Sequence, residues 1–289
     1  MGIIFASYGN SQRFYKEGFK SSLEAPHYLK SIGLNGYEYL CNQGVHISFD
    51  GCFELKKNAE NNGISLSVRG YDFLCMSDTD EIKREKNLKI ICDTLRTAHL
   101  LGAKKIVLPL DNCAIKSRAW VKKSSVEMMN KALMISKSEG IDDVDIGVET
   151  MGLIHDYGDF SEVVRLCKEN ERFVPCISIG NIYARNLGKN ITTKEYEDMF
   201  DFMKKHLGEY RAKNFHLYFS KVEYTNQGFR ENMDFCDKGF ENQSYKNLLD
   251  AVVSKNVTPF VVAKSPHITD TDCLEMKKYY MEKSGKNVY

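Results

Sequence analysis

Residues 104–149 read KKIVLPLDNCAIKSRAWVKKSSVEMMNKALMISKSEGIDDVDIGVE, and this stretch decides the fold. It opens on a short β-rich apolar run, Lys104–Leu110, and closes on another, Val144–Glu149. Between them, residues 117–139 carry apolar side chains at helical spacing. They end at Glu139-Gly140, where a glycine can take the left-handed conformation that satisfies the last helical carbonyls. A strand, a long crossover helix and a second strand make one βαβ unit, whose strands run parallel.

The same unit recurs in both directions. Further strand candidates are Gly2–Ser7, Leu34–Tyr39, Ile64–Val68, Val174–Ile179, Lys213–Phe219 and Pro259–Ala263. Helical patterns follow them near 21–32, 51–61, 80–101, 160–169, 193–207, 244–255 and 269–283. Ser124-x-x-Glu127, Thr192-x-x-Glu195 and Thr269-x-x-Asp272 read as capping signals at helix starts, and Gly33, Gly102 and Gly208 as helix ends. Eight such units are the number that closes a (β/α)8 TIM barrel, so the expectation is an α/β protein with one barrel domain over residues 1–289. An open doubly wound sheet is the competing fold. It usually carries a Gly-rich phosphate loop, and neither GxGxxG nor GxxxxGK[ST] occurs here.

Composition narrows the function classes. A net charge of +1 supplies no global field toward nucleic acid or a membrane, so a nucleic-acid site would have to be a local patch. No apolar run is long enough to span a bilayer, and Met1–Phe5 shows no basic stretch before a cleavage site. Nine cysteines without a CxxC pair read as reduced thiols, and the expected compartment is the cytoplasm.

Barrel chemistry sits on the loops after the strands, which singles out Tyr8–Asn10, Arg69–Asp72, Pro109–Asn112, Glu149–Gly152, Ser178–Arg185, His216–Tyr224 and Lys264–His267. At these places the chain resembles the endonuclease IV family, the xylose isomerase-like barrels that include the deoxyribonuclease IV-like proteins. The resemblance rests on Tyr8-Gly9-Asn10, Leu34-Asn35-Gly36-Tyr37-Glu38-Tyr39, Glu149-Thr150-Met151-Gly152, Tyr183-Ala184-Arg185, His216 through Tyr224 and Ala263-Lys264-Ser265-Pro266. It implies a tri-zinc centre that cleaves DNA at abasic sites, held by His, Asp and Glu side chains.

Matched position by position, that ring is mostly absent. Arg69 stands in place of a ligand histidine, Ser178 and Asn181 replace an Asp-x-x-His pair, Tyr218 takes a second histidine's place and Lys264 replaces a glutamate. The segments at Leu108-Pro109-Leu110-Asp111 and Phe229-Arg230-Glu231-Asn232 also lack their ligands. Glu149 and His216 are the residual ligand positions, too few to hold zinc. The expectation is that no zinc cofactor is retained.

Two replacements are cations, which makes Glu149 the expected centre of an ion-pair cluster with Arg69 and Lys264. Asp72 and Asp111 are further candidates to pair with those cations. Arg69, Lys264, Arg185 and Lys221 are the candidate anion-binding set, and Glu149 and Lys264 the candidate catalytic pair. Lys116, Arg118, Lys122 and Lys123 around Trp120 form a basic run that reads as a solvated face.

Three functions stay open. The first is a barrel without zinc or abasic-site activity, acting as a binding or regulatory module with a cationic mouth. The second is a metal-free isomerase-like or lyase-like enzyme, in which burial lowers the pKa of Lys264 toward proton transfer. The third is a residual metal-dependent phosphodiester hydrolase using Glu149, His216 and Asp111. A phosphate-containing or sugar ligand at the mouth is the expected partner, with nucleic acid the alternative and no membrane.

Overall fold

The computed structural model describes residues 2–110 and 116–285, so Asp111 lies outside the described residues. Seven parallel strands come first: β1 (Ile4–Tyr8), β2 (Gly36–Leu40), β3 (Ser65–Arg69), β4 (Lys105–Leu108), β5 (Asp145–Glu149), β6 (Phe173–Ser178) and β7 (His216–Phe219). A small antiparallel hairpin follows, β8 (Lys221–Thr225) with β9 (Gly228–Met233), and β10 (Phe260–Ala263) is the eighth barrel strand. These eight close on themselves in the order β1-β10-β7-β6-β5-β4-β3-β2. The chain is therefore a closed parallel barrel, and the open sheet is excluded.

Eight helices lie where the periodicity predicts them: α2 (Ala25–Ser31), α3 (Phe49–Asn62), α4 (Glu81–Leu101), α5 (Arg118–Ser138), α6 (Phe160–Cys167), α8 (Thr193–Lys213), α9 (Lys246–Ser254) and α10 (Thr269–Ser284). Two short ones are added, α1 (Gln12–Lys16) where no element was expected and α7 (Ile179–Arg185) in the expected loop Ser178–Arg185. The Thr192–Glu195 capping box forms, with both reciprocal hydrogen bonds. The other two capping signals do not act as caps. Ser117 caps α5, which leaves Ser124 buried within the helix. Thr269 turns its hydroxyl to the Ala263 carbonyl and accepts from the Tyr8 amide, tying α10 to the barrel rim. Gly208 does leave helical geometry, at φ 81°, but helical structure resumes beyond it to Lys213. No helix among the described residues is long and apolar enough to cross a membrane.

Alternation along each strand divides its side chains between the barrel interior and the helix-facing layer. Ala6, Val107, Cys176, Tyr218, Phe260 and Val262 pack inside. Gly36 also points inward, because a β-carbon there would sit 2.5 Å from Ile4 Cγ2 and 2.7 Å from Ala6 Cβ. Gly36→Ala should therefore lower stability by about 1–3 kcal/mol through overpacking. Urea denaturation is the check, and an unchanged midpoint would mean that the interior yields more readily than this contact implies.

Candidate ligand site at the barrel mouth

The inward register that fills the barrel also aims its last residues into the mouth. Arg69 ends β3, Glu149 ends β5, and Lys264 follows β10 directly. Arg69 Nη1 donates to Glu149 Oε2 at 2.5 Å, and Lys264 Nζ donates to Glu149 Oε1 at 3.0 Å. Arg69 Nε and Nη2 both donate to Asp72 Oδ1, at 2.9 and 2.7 Å. The structure thus brings together the three residues expected to cluster, with Asp72 as the fourth member. The side chains of Arg69 and Glu149 are only 4% and 3% exposed, so this is an interior ion cluster rather than a surface one.

Burial works against the Glu149 carboxylate, but Arg69 and Lys264 outweigh it and hold its pKa down to about 2. Lys264 moves opposite to the sequence expectation. Burial alone would lower it, as foreseen for proton transfer, yet the Glu149 charge prevails and raises it. Its ammonium also lies 4.8 Å from the Tyr218 ring centroid and 5.5 Å from that of Tyr8, close enough for cation–π attraction. Burial raises the Tyr8 phenol to about 12.

Above this cluster opens a cleft of about 660 Å³. Phe73, Met151 and Phe229 give it apolar wall, and the amides of Asn42, Asn181 and Asn232 line it between them. Its described charged residues are Arg69 and Lys264 against Asp72, Glu149 and Asp156. The expected cationic mouth is thereby corrected, because the carboxylates at least match the two cations. A smaller cavity of about 140 Å³ beside α7 contains none of this cluster.

Arg185 and Lys221 are not in the cleft. Arg185 donates to the carbonyls of Leu153, Ile154 and Asp156 at 2.6–2.9 Å, clamping the loop after β5. Lys221 donates to the Phe235 carbonyl at 2.5 Å, across the base of the hairpin. Backbone oxygens claim both cations that the sequence offered to a phosphate. In the basic run, Arg118 pairs with Glu162 and Lys122 with Glu169.

His216 lies deeper than a mouth ligand would. It is fully buried, stacked on Phe260 at 5.0 Å between centroids, and its Nε2 sits 3.0 Å from Glu38 Oε1. The contact is close but poorly directed for a hydrogen bond, and Nδ1 has no partner among the described residues. Ser67 Oγ donates to Glu38 Oε1 at 3.0 Å, and Tyr218 Oη to Oε2 at 2.7 Å. Burial keeps the imidazole below its ordinary pKa, hence neutral. Burial works against the Glu38 carboxylate, while the Tyr218 hydroxyl and the Arg69 charge favour it, and its pKa lies below the ordinary value. Sequence reading missed this centre, although a glutamate among the aromatic residues of β2 was a visible signal.

The zinc that the resemblance implies does not fit these residues. Each oxygen of Glu149 is held by a fixed cation, and His216 is committed to Glu38 one layer down. Among the described residues no group of three or more His, Cys, Asp or Glu side chains could hold a metal ion.

A family model described as xylose isomerase-like TIM barrel matches residues 26–272. No curated protein matches the chain in sequence. Among solved structures, endonuclease IV from Thermus thermophilus aligns with 14% identity and a TM-score of 0.66, over 96% of this chain and 99% of that one. D-psicose 3-epimerase with D-tagatose, from Clostridium cellulolyticum, aligns with 14% identity and a TM-score of 0.64, over 98% and 96%. AP endonuclease, family 2, from Brucella melitensis aligns with 12% identity and a TM-score of 0.61, over 96% and 99%. At such identities the likeness is one of fold.

Proposed function

The chain belongs to the xylose isomerase-like TIM barrel family, and from that premise we propose that it is a metal-free binding module that takes a small polyhydroxylated, sugar-like ligand at its mouth. The carrying observation is that both oxygens of Glu149 are neutralised by Arg69 and Lys264, so fixed protein cations stand where the family places metal. This reading includes the loss of the zinc centre and of abasic-site cleavage.

A neutral polar ligand suits the cleft better than a phosphate. Asp72 and Glu149 already offset the two cations, leaving no excess positive charge for an anion. Amides beside aromatic wall offer hydroxyl groups hydrogen bonds and present an apolar face to the ring of a sugar. Catalysis by Glu149 and Lys264 is disfavoured by their charges: one is held acidic and the other basic, both far from the neutral range that general acid–base work requires.

Thermal-shift titration with a panel of monosaccharides and with inorganic phosphate tests this reading. At least one sugar should raise the melting temperature, phosphate should not, and chelator should change neither the melting temperature nor the sugar effect. Stoichiometric zinc in the purified protein, or incision of abasic-site DNA abolished by Glu149→Gln, would restore the hydrolase reading and end this one.

A further inference from the structure

The end of the barrel opposite the mouth is not closed. Barrel interiors are usually filled by bulky branched side chains. Here two inward positions toward the start of β3 are the small polar residues Ser65 and Ser67, and they line a cavity of about 320 Å³. That volume lies at the low end of the roughly 300–1,000 Å³ typical of small-molecule sites. Ile4, Leu66, Leu101 and Phe260 supply apolar wall, and the cavity reaches in as far as Ser67, the residue bonded to Glu38.

Cations also stand in that wall. Lys105 begins β4, and its ammonium donates to the backbone carbonyl of Asn214. Among the described residues no carboxylate comes within ion-pair distance of it. Asp145, also in the lining, sits with Oδ1 3.7 Å from Arg172 Nε instead. Lys104 pairs with Asp143 at 2.8 Å, and Lys56 and Glu60 also line the cavity, so the lining as a whole carries three cations and two carboxylates.

We propose that this cavity is a second ligand site, selective for small carboxylic acids with an apolar body, whose carboxylate pairs with Lys105 while the body lies against Ile4, Leu66, Leu101 and Phe260. Two independent features support it. The apolar walls favour a hydrocarbon or aromatic group, and an ammonium without a fixed anion is the group that a carboxylate entering the same space would satisfy. Desolvation has already moved the Lys105 amine down to about 8, which marks the strain an anionic ligand relieves. The site lies at the far end of the barrel, so it stands or falls independently of the sugar reading at the mouth.

Calorimetric titration of the full chain with octanoate tests it, with octan-1-ol as the uncharged control. Octanoate should bind saturably near neutral pH and weaken as pH rises through about 8, where Lys105 loses its proton. Lys105→Met keeps the length and apolar stem and should weaken octanoate by about tenfold or more, the scale of a charge-assisted hydrogen bond, while leaving octan-1-ol unchanged. Equal octanoate affinity in the two proteins, or no saturable binding by wild type, overturns the proposal. If Lys105→Met does not fold, acetic anhydride labelling of wild type decides, with sites located by mass spectrometry. Octanoate should slow acetylation of Lys105 selectively, and an unaltered rate overturns the proposal.

Discussion

Glu149→Leu should destabilise the protein by about 3–5 kcal/mol at neutral pH, the scale for removing one partner of a buried ion pair. Arg69 would keep Asp72, but Lys264 would be left buried between Tyr8 and Tyr218 with no carboxylate in contact among the described residues. Adding Lys264→Met to Glu149→Leu should therefore recover much of the loss, and urea denaturation of the two single variants and the double variant measures that coupling. The sign with pH follows from the carboxylate. Its folded pKa of about 2 lies below the ordinary 4.5, so its contribution is fully present above 4.5 and disappears as pH falls toward 2. Wild type and the Glu149→Leu variant should accordingly converge in stability across that acid window. A variant as stable as wild type at neutral pH, or a gap that does not shrink on acidification, would show that the cluster does not hold the mouth together.

Glu38→Ala should be comparably damaging, by about 3–5 kcal/mol, through a different route. The Tyr218 and Ser67 hydroxyls would lose their acceptor inside the barrel, and His216 its neighbouring charge. A cavity would also open where nothing can relax without moving a strand. Glu38→Gln keeps an oxygen for Tyr218 and should lose clearly less. Denaturant titration distinguishes the two, and an alanine variant no worse than the glutamine variant would reduce this centre to filled volume.

The fold was legible because its signals are local. Strand, helix and glycine recur at spacings visible within about fifty residues, and parallel pairing follows from the crossovers. The hairpin was not legible: Asn226-Gln227 is a weak turn signal, and β8 and β9 mix polar and apolar side chains. The mouth cluster was legible through position, because strand ends converge on one mouth and two of the matched ones carry cations beside Glu149. The Glu38 centre was not, because Glu38 and His216 meet across 178 residues of chain and neither announces its partner. Charges misled in a consistent way. Arg185 and Lys221 read as free cations because backbone carbonyls, which claim both, leave no mark in a sequence. Lys264 was assigned the wrong direction because burial was weighed without the contact that opposes it.

The seam between β1 and β10 has a consequence in time. Ile4 lies beside Phe260 and Ser7 beside Ala263, so the rung that shuts the barrel joins segments some 256 residues apart. During synthesis β2 can flank one side of β1 early, while the other edge stays bare until residues 260–263 emerge. A bare parallel edge is a template for any extended chain nearby, and a loop this long is slow to close. A ribosome-stalled chain lacking β10 should therefore associate with chaperones or with its own copies far more than the full chain does, and release of β10 and α10 should end that association.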